Sequence, residues 1–148
     1  MSTGRLKGLL AKHEGIKPKV YDDANGQPIV PGYVVVGHPT IAIGVCLDLV
    51  GLTIDEIYYL TQNRINIAIT ECDKYPWFKD LEDVRQDALI DLMYAEGAPH
   101  FAEFKQMFAC IQKKDYHGAG QEIINSRWGA KTGQRAIDLA KMLETNSY

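Results

Sequence analysis

The chain has 148 residues, 46% of them hydrophobic and 24% charged, the balance of a single soluble globular domain large enough to bury a core without disulfides. A net charge of −3, with no basic run or basic helix face, excludes general nucleic-acid binding. Cys46, Cys72 and Cys110 are far apart and form no C-x-x-C pair, so they read as reduced thiols. No apolar stretch suits a signal peptide or a membrane span, so no membrane insertion is expected.

In chain order, Ser2 or Thr3 is placed to cap a helix whose Leu6, Leu9 and Leu10 share one face. Gly15 and Pro18 end it near His13 or Glu14. Residues 17–44 then change character. "KVY", "YVVV" and "TIAIG" are strand-like, Asn25-Gly26 is a hairpin turn, and four of the six prolines punctuate the stretch, which together predict a small antiparallel sheet. From Thr53 the period is helical. Thr53 and Glu56 make a capping box, and Ile54, Ile57, Tyr58, Thr61, Ile65, Ala68, Ile69 and Cys72 trace one face.

"YPWF" breaks that helix, and Asp80 is placed to cap the next, with Val84, Ala88, Leu92 and Ala95 inward and Gly97 as its stop. Helices are expected over 101–113, 116–125 and 133–144, the last capped by Thr132. The whole reads as one α+β domain, mainly α: residues 15–51 a β-rich lobe, residues 1–14 and 52–148 a helical lobe, with a cleft between.

The chemistry lies in "HEGIKPKVYDD", residues 13–23. Glu14 falls at a helix C-terminus, where the macrodipole opposes a carboxylate and favours a carboxyl that keeps its proton, as a general acid must; an exposed polar residue at a fraying helix end explains its position equally well. Asp22 and Asp23 end the first strand in a solvated turn, where at least one stays ionised; ordinary turn chemistry explains them equally well. One protonated and one ionised carboxyl across a cleft is the arrangement for glycoside hydrolysis.

These residues resemble the phage-type (T-even) lysozymes. A helix ending in Glu-Gly, an aspartate after eight intervening residues, "TIAIG" from Thr40, the "EDVRQDALIDLMYAEG" helix, and the run "FKQMFACIQKKDYHGAGQEIINSRW…R" follow in order over nearly the whole chain. The resemblance implies a lysozyme-like fold with a muramidase activity on peptidoglycan glycan strands, inverting at the anomeric carbon, without cofactor. It implies Glu14 as catalytic acid, and by spacing Asp23, not Asp22, as catalytic aspartate. Thr40 would help hold the attacking water, Arg135 would pair with the glutamate, and Tyr94 would line the substrate cleft. Asp22 is expected to tolerate replacement, since strand alternation turns it away.

The chain departs from that pattern in three places. Sixteen residues separate Asp23 from Thr40, an enlarged loop on the cleft rim. Val45 stands where the family has a histidine, and a helix of the small lobe is expected to be missing. Two further cleft positions fall on Met107 and Glu122, which differ in type and are not carried over. His38, His100 and His117 show no metal spacing with cysteine, so no metal is expected. Trp77 and Trp128 suit the core. Glu96 could reach the cleft from a helix end.

A monomeric phage endolysin is expected, held in the host cytoplasm until a holin releases it to the wall. Alternatives are a secreted antibacterial effector domain, a lytic transglycosylase using Glu14 alone, and a wall-binding module without hydrolysis.

Overall fold

The computed structural model describes residues 3–148; Ser2, one of the two expected caps, lies outside them. The chain divides into two compact units, the first reaching to Ile57 and the second Tyr58–Tyr148. Helices dominate, with one small antiparallel sheet, an α+β lysozyme-like fold. Among the described residues no helix is long and apolar enough to cross a membrane.

The first unit opens with α1 (Thr3–Glu14), none of whose residues is buried. Gly15, at φ +75°, lets the chain leave that helix and enter β1 (Lys17–Asp22). β1 pairs with β2 (Pro39–Ala42), and β2 with β3 (Val45–Cys46), giving the order β1-β2-β3. Thr40 lies opposite Tyr21 on one side and Cys46 on the other.

The expected Asn25-Gly26 turn is present, with the Gly26 N–H donating to the Asp22 carbonyl at 2.7 Å. The expected "YVVV" strand is not. Residues 33–36 make no ladder: the Tyr33 N–H donates to the Val30 carbonyl at 2.9 Å, and the Val36 and adjoining Gly37 N–H groups bind the Asp22 carboxylate at 2.7 and 3.0 Å. A side chain has taken the place of a strand partner.

The helix α2 (Ile54–Cys72) starts with the expected box: Thr53 N–H donates to Glu56 Oε2 at 2.7 Å, and Glu56 N–H to Thr53 Oγ1 at 3.3 Å. Of its expected apolar face only Ala68 and Cys72 are buried. After a 3₁₀ turn (Phe78–Asp80), α3 (Asp83–Phe101) carries the centre of the second unit's core. Asp80 is not its cap; Glu82 holds that position, without a side-chain bond. Ala88 and Leu92 point inward as expected, but so do Arg85, Leu89 and Met93, while Ala95 is exposed, because the 3.6-residue period drifts off a strict i+4 row. Gly97, at φ +75°, breaks the helix where expected, though a further turn follows it.

Four shorter helices close around α3: α4 (Lys105–Gln112), α5 (Tyr116–Ile124), α6 (Arg127–Thr132) and α7 (Gln134–Thr145). The helix α6 was not expected. Ser126 caps it through the Gly129 N–H, and Thr132, the expected cap of α7, instead donates back to the Trp128 carbonyl. A side chain at Gly129 would strike the carbonyls of Ile123 and Ile124, so glycine is what lets α6 sit on the end of α5. Buried Arg85 ties α3 to the end of α7 through the Leu143 carbonyl at 2.6 Å, with its guanidinium 3.6 Å from the Tyr116 ring centroid.

Candidate active site

Three of the five expected site residues, Glu14, Asp23 and Thr40, belong to the first unit. Glu14 is the last residue of α1 and exposed, with its carboxyl against the β2–β3 turn: a methyl group on Gly44 would come within 3.0 Å of Glu14 Oε2. Asp23 follows β1 and is exposed at the other end of β2. Its N–H donates to the His38 carbonyl at 3.1 Å, and its Oδ1 accepts the His38 N–H at 2.7 Å. A side chain on Gly37 would collide with that carboxylate and with the Ala24 backbone. Thr40 lies between, in β2 itself, buried, with its hydroxyl donating to the His38 carbonyl at 3.1 Å. One short strand therefore brings the three together.

Asp22 is not the tolerant neighbour expected from alternation. It is fully buried and organises the long segment that follows it. Oδ1 accepts from the Ala24 and Gly37 N–H groups, both at 3.0 Å, and Oδ2 from the Val36 N–H at 2.7 Å and the Tyr33 hydroxyl at 3.1 Å. The Val36 bond, foremost among these, holds its pKa below the ordinary carboxylate range, against the opposing pull of burial. Asn25 Nδ2 completes the network by donating to the Tyr33 oxygen at 2.8 Å. So the sixteen residues expected as a rim loop wrap one buried anion.

Arg135 and Tyr94 lie in the second unit. Within it the Arg135 guanidinium is bound to Asp91, Nη2 at 2.7 Å and Nε at 2.9 Å from Oδ1, and stands 5.9 Å from the Trp128 ring centroid. Tyr94 is three residues on from Asp91, on the same face of α3, and lines a groove with Arg64, Glu71 and Met93. A larger open cavity, about 480 Å³, is lined by Glu96, His100, Glu103, Glu122, Trp128 and Lys131 among others. Glu96 and Trp128 thus line a cavity, although Trp128 is also part of the core as expected. Met107 is completely buried.

A further group escaped sequence reasoning. His38, Cys46 and Asp48 present donor atoms that all lie within 4.8 Å of one another. His38 Nδ1 is 2.9 Å from Asp48 Oδ2, and the Cys46 thiol donates to Asp48 Oδ1 at 3.2 Å. The bond to Asp48 raises the His38 pKa and lowers that of Asp48; burial, then Asp48, pushes the Cys46 thiol up. Their spacing fits no metal motif. The signal lay in the hairpin, which folds the residue before β2 onto the residues in and after β3.

No family model matches the chain. Two proteins of Dictyostelium discoideum do resemble it along nearly its whole length. Probable T4-type lysozyme 1 is 22% identical over 147 residues, covering 97% of this chain and 74% of its own. Probable T4-type lysozyme 2 is 23% identical over 161 aligned positions, covering 96% of this chain and 95% of its own. The fold is lysozyme-like. These distant likenesses support a T4-lysozyme-like family.

Proposed function

We propose that this chain is a muramidase that hydrolyses the β-1,4 bond between N-acetylmuramic acid and N-acetylglucosamine in peptidoglycan. The observation that carries the reading is the seating of Glu14 and Asp23 at opposite ends of β2, on a chain similar to lysozymes over almost its full length. Glu14 protonates the leaving oxygen. Asp23, with Thr40 beside it, stabilises positive charge or activates water from the other face. Separated carboxyl groups leave room for that water, and the sugar then inverts. The Asp23 backbone and side chain are both bonded to His38, which fixes a carboxylate that would otherwise swing freely in an exposed turn. Tyr94 offers an exposed ring to a sugar face, while Arg135, expected beside the glutamate, is held by Asp91.

The biological role in this reading is that of a phage endolysin, acting as a monomer, released from the host cytoplasm through a holin-opened membrane. Lysis of outer-membrane-permeabilised cells, followed as turbidity, tests the activity. Mass spectrometry of digested sacculi tests the chemistry: reducing-end muramic acid is expected, and an anhydro sugar would mean that Glu14 acts alone as in a transglycosylase. Intact sacculi after prolonged digestion would leave a wall-binding module and sink the hydrolase reading.

A further inference from the structure

We propose that His38, Cys46 and Asp48 form a three-ligand site for a thiophilic divalent metal ion of the zinc class, on the β2–β3 hairpin. The geometry is nearly that of a bound ion. Zinc bonds of about 2.0–2.3 Å set tetrahedral donors roughly 3.3–3.8 Å apart. Here the donor atoms, one from each residue, all lie within 4.8 Å of one another, with His38 2.9 Å from Asp48 Oδ2 and Cys46 3.2 Å from Asp48 Oδ1.

The scaffold needs no ion to assemble it. Backbone pairing sets Cys46 opposite Thr40, and the Leu47 N–H donates to the Pro39 carbonyl at 2.8 Å, so both ends of the ligand set are already joined. The donors choose the metal: one imidazole nitrogen, one sulfur and one carboxylate oxygen suit zinc, whereas calcium and magnesium take oxygen alone. A thiolate and a carboxylate neutralise a divalent ion, and Asp22 and Asp23 add to the negative field at His38. Binding displaces the Cys46 thiol proton to solvent, and water fills the fourth position.

The first unit also has the need. Among the described residues, those of the buried apolar core lie beyond Ile57, and those buried before it are Asp22 and Thr40. A small unit without an apolar core is where nature adds disulfides or metals. The ion would clamp the hairpin that carries Thr40, a role that stands whether or not the chain cleaves glycans.

The test is cobalt and zinc titration of the purified full chain, with a chelating indicator for affinity. Cobalt should give thiolate charge-transfer absorption at one equivalent, and zinc should raise the melting temperature. C46S should erase the absorption, and C46S, H38A and D48N should each weaken zinc binding by at least about 10–100-fold. C110S should change neither. The conservative D48N, checked by circular dichroism, guards against loss through misfolding. Absence of thiolate absorption in the wild type, its persistence in C46S, or its loss in C110S would each overturn the proposal.

Discussion

Among the described residues, the buried side chains of the second unit are those of Leu89, Leu92, Phe101, Ile123 and their apolar neighbours, with Arg85 the charged exception; in the first they are Asp22 and Thr40. The helical unit is held by non-directional burial, at roughly 25 cal/mol per Å². The sheet unit is held by directional bonds converging on one carboxylate, whose four donors come from residues 24, 33, 36 and 37. Directional bonding suits a site, because it fixes the positions of polar groups that an apolar core would exclude. It also makes the unit sensitive to single-atom changes that a packed core would ignore. Catalytic and stability effects should therefore part along this division.

The largest effect should come from Glu14→Gln, which keeps size but delivers no proton. On the proposed mechanism hydrolysis of purified peptidoglycan falls by at least ~10²–10⁴-fold. Glu14 is exposed, so the melting temperature stays almost unchanged. Near-normal lysis by this variant would end the assignment of the acid.

Leu92→Ala should show the opposite pattern. The side chain is completely buried in the core around α3, and its removal costs about 2–5 kcal/mol in denaturant unfolding. Turnover per folded molecule should hold. A loss of turnover at low temperature, where the variant is folded, would mean that core and site are not separable.

How legible this division was depends on the kind of bond. The helices after the sheet announced themselves through apolar period, Gly97 and the Thr53–Glu56 box, because these are local signals. The α6 turn was missed because it rests on a close approach to α5 that only Gly129 permits, which is a tertiary fact. In the first unit Asn25-Gly26 read correctly, whereas "YVVV" read as a strand because its propensity is strong. No local pattern reveals that the N–H groups of its last residue, Val36, and of the next, Gly37, go to a carboxylate fourteen and fifteen residues earlier. The resemblance pointed to Glu14, Asp23 and Thr40, but Asp22 and the His38–Cys46–Asp48 group could be seen only once the chain was folded.

Asp22→Asn sharpens the comparison. One oxygen becomes an NH₂ group, which at the Oδ2 position would face the Val36 N–H donor and at Oδ1 the donors of Ala24 and Gly37. The melting temperature should drop by roughly 5 °C or more, with faster proteolysis within residues 30–37. Asp23→Asn should spare both and remove most turnover. Acid should mimic the first variant. Because the folded pKa of Asp22 is lowered, its contribution is complete above the ordinary carboxylate value and is lost as pH falls from there through the folded value. Protease sensitivity of the 30–37 segment should thus rise below about pH 4 in the wild type. An Asp23→Asn variant that unfolds, or an Asp22→Asn variant that is stable but inactive, would reverse the two roles.

The smallest effect should come from Gly44→Ala. The added methyl meets Glu14 Oε2 at 3.0 Å and its Cδ at 3.2 Å, so the carboxyl must move by a few tenths of an ångström. If a 1 Å misplacement costs about 10²-fold, a shift of that size corresponds to roughly two- to tenfold in kcat. Gly44 sits at φ +69°, and alanine there adds strain of about 1 kcal/mol. Ala42 in the same turn already has φ +61°, so the backbone itself tolerates a Cβ in this region. The two consequences can be read separately, since the strain lowers the melting temperature and the displaced carboxyl lowers kcat on folded enzyme. A variant that loses stability but keeps full kcat would show that the Glu14 carboxyl does not work from its place against the turn.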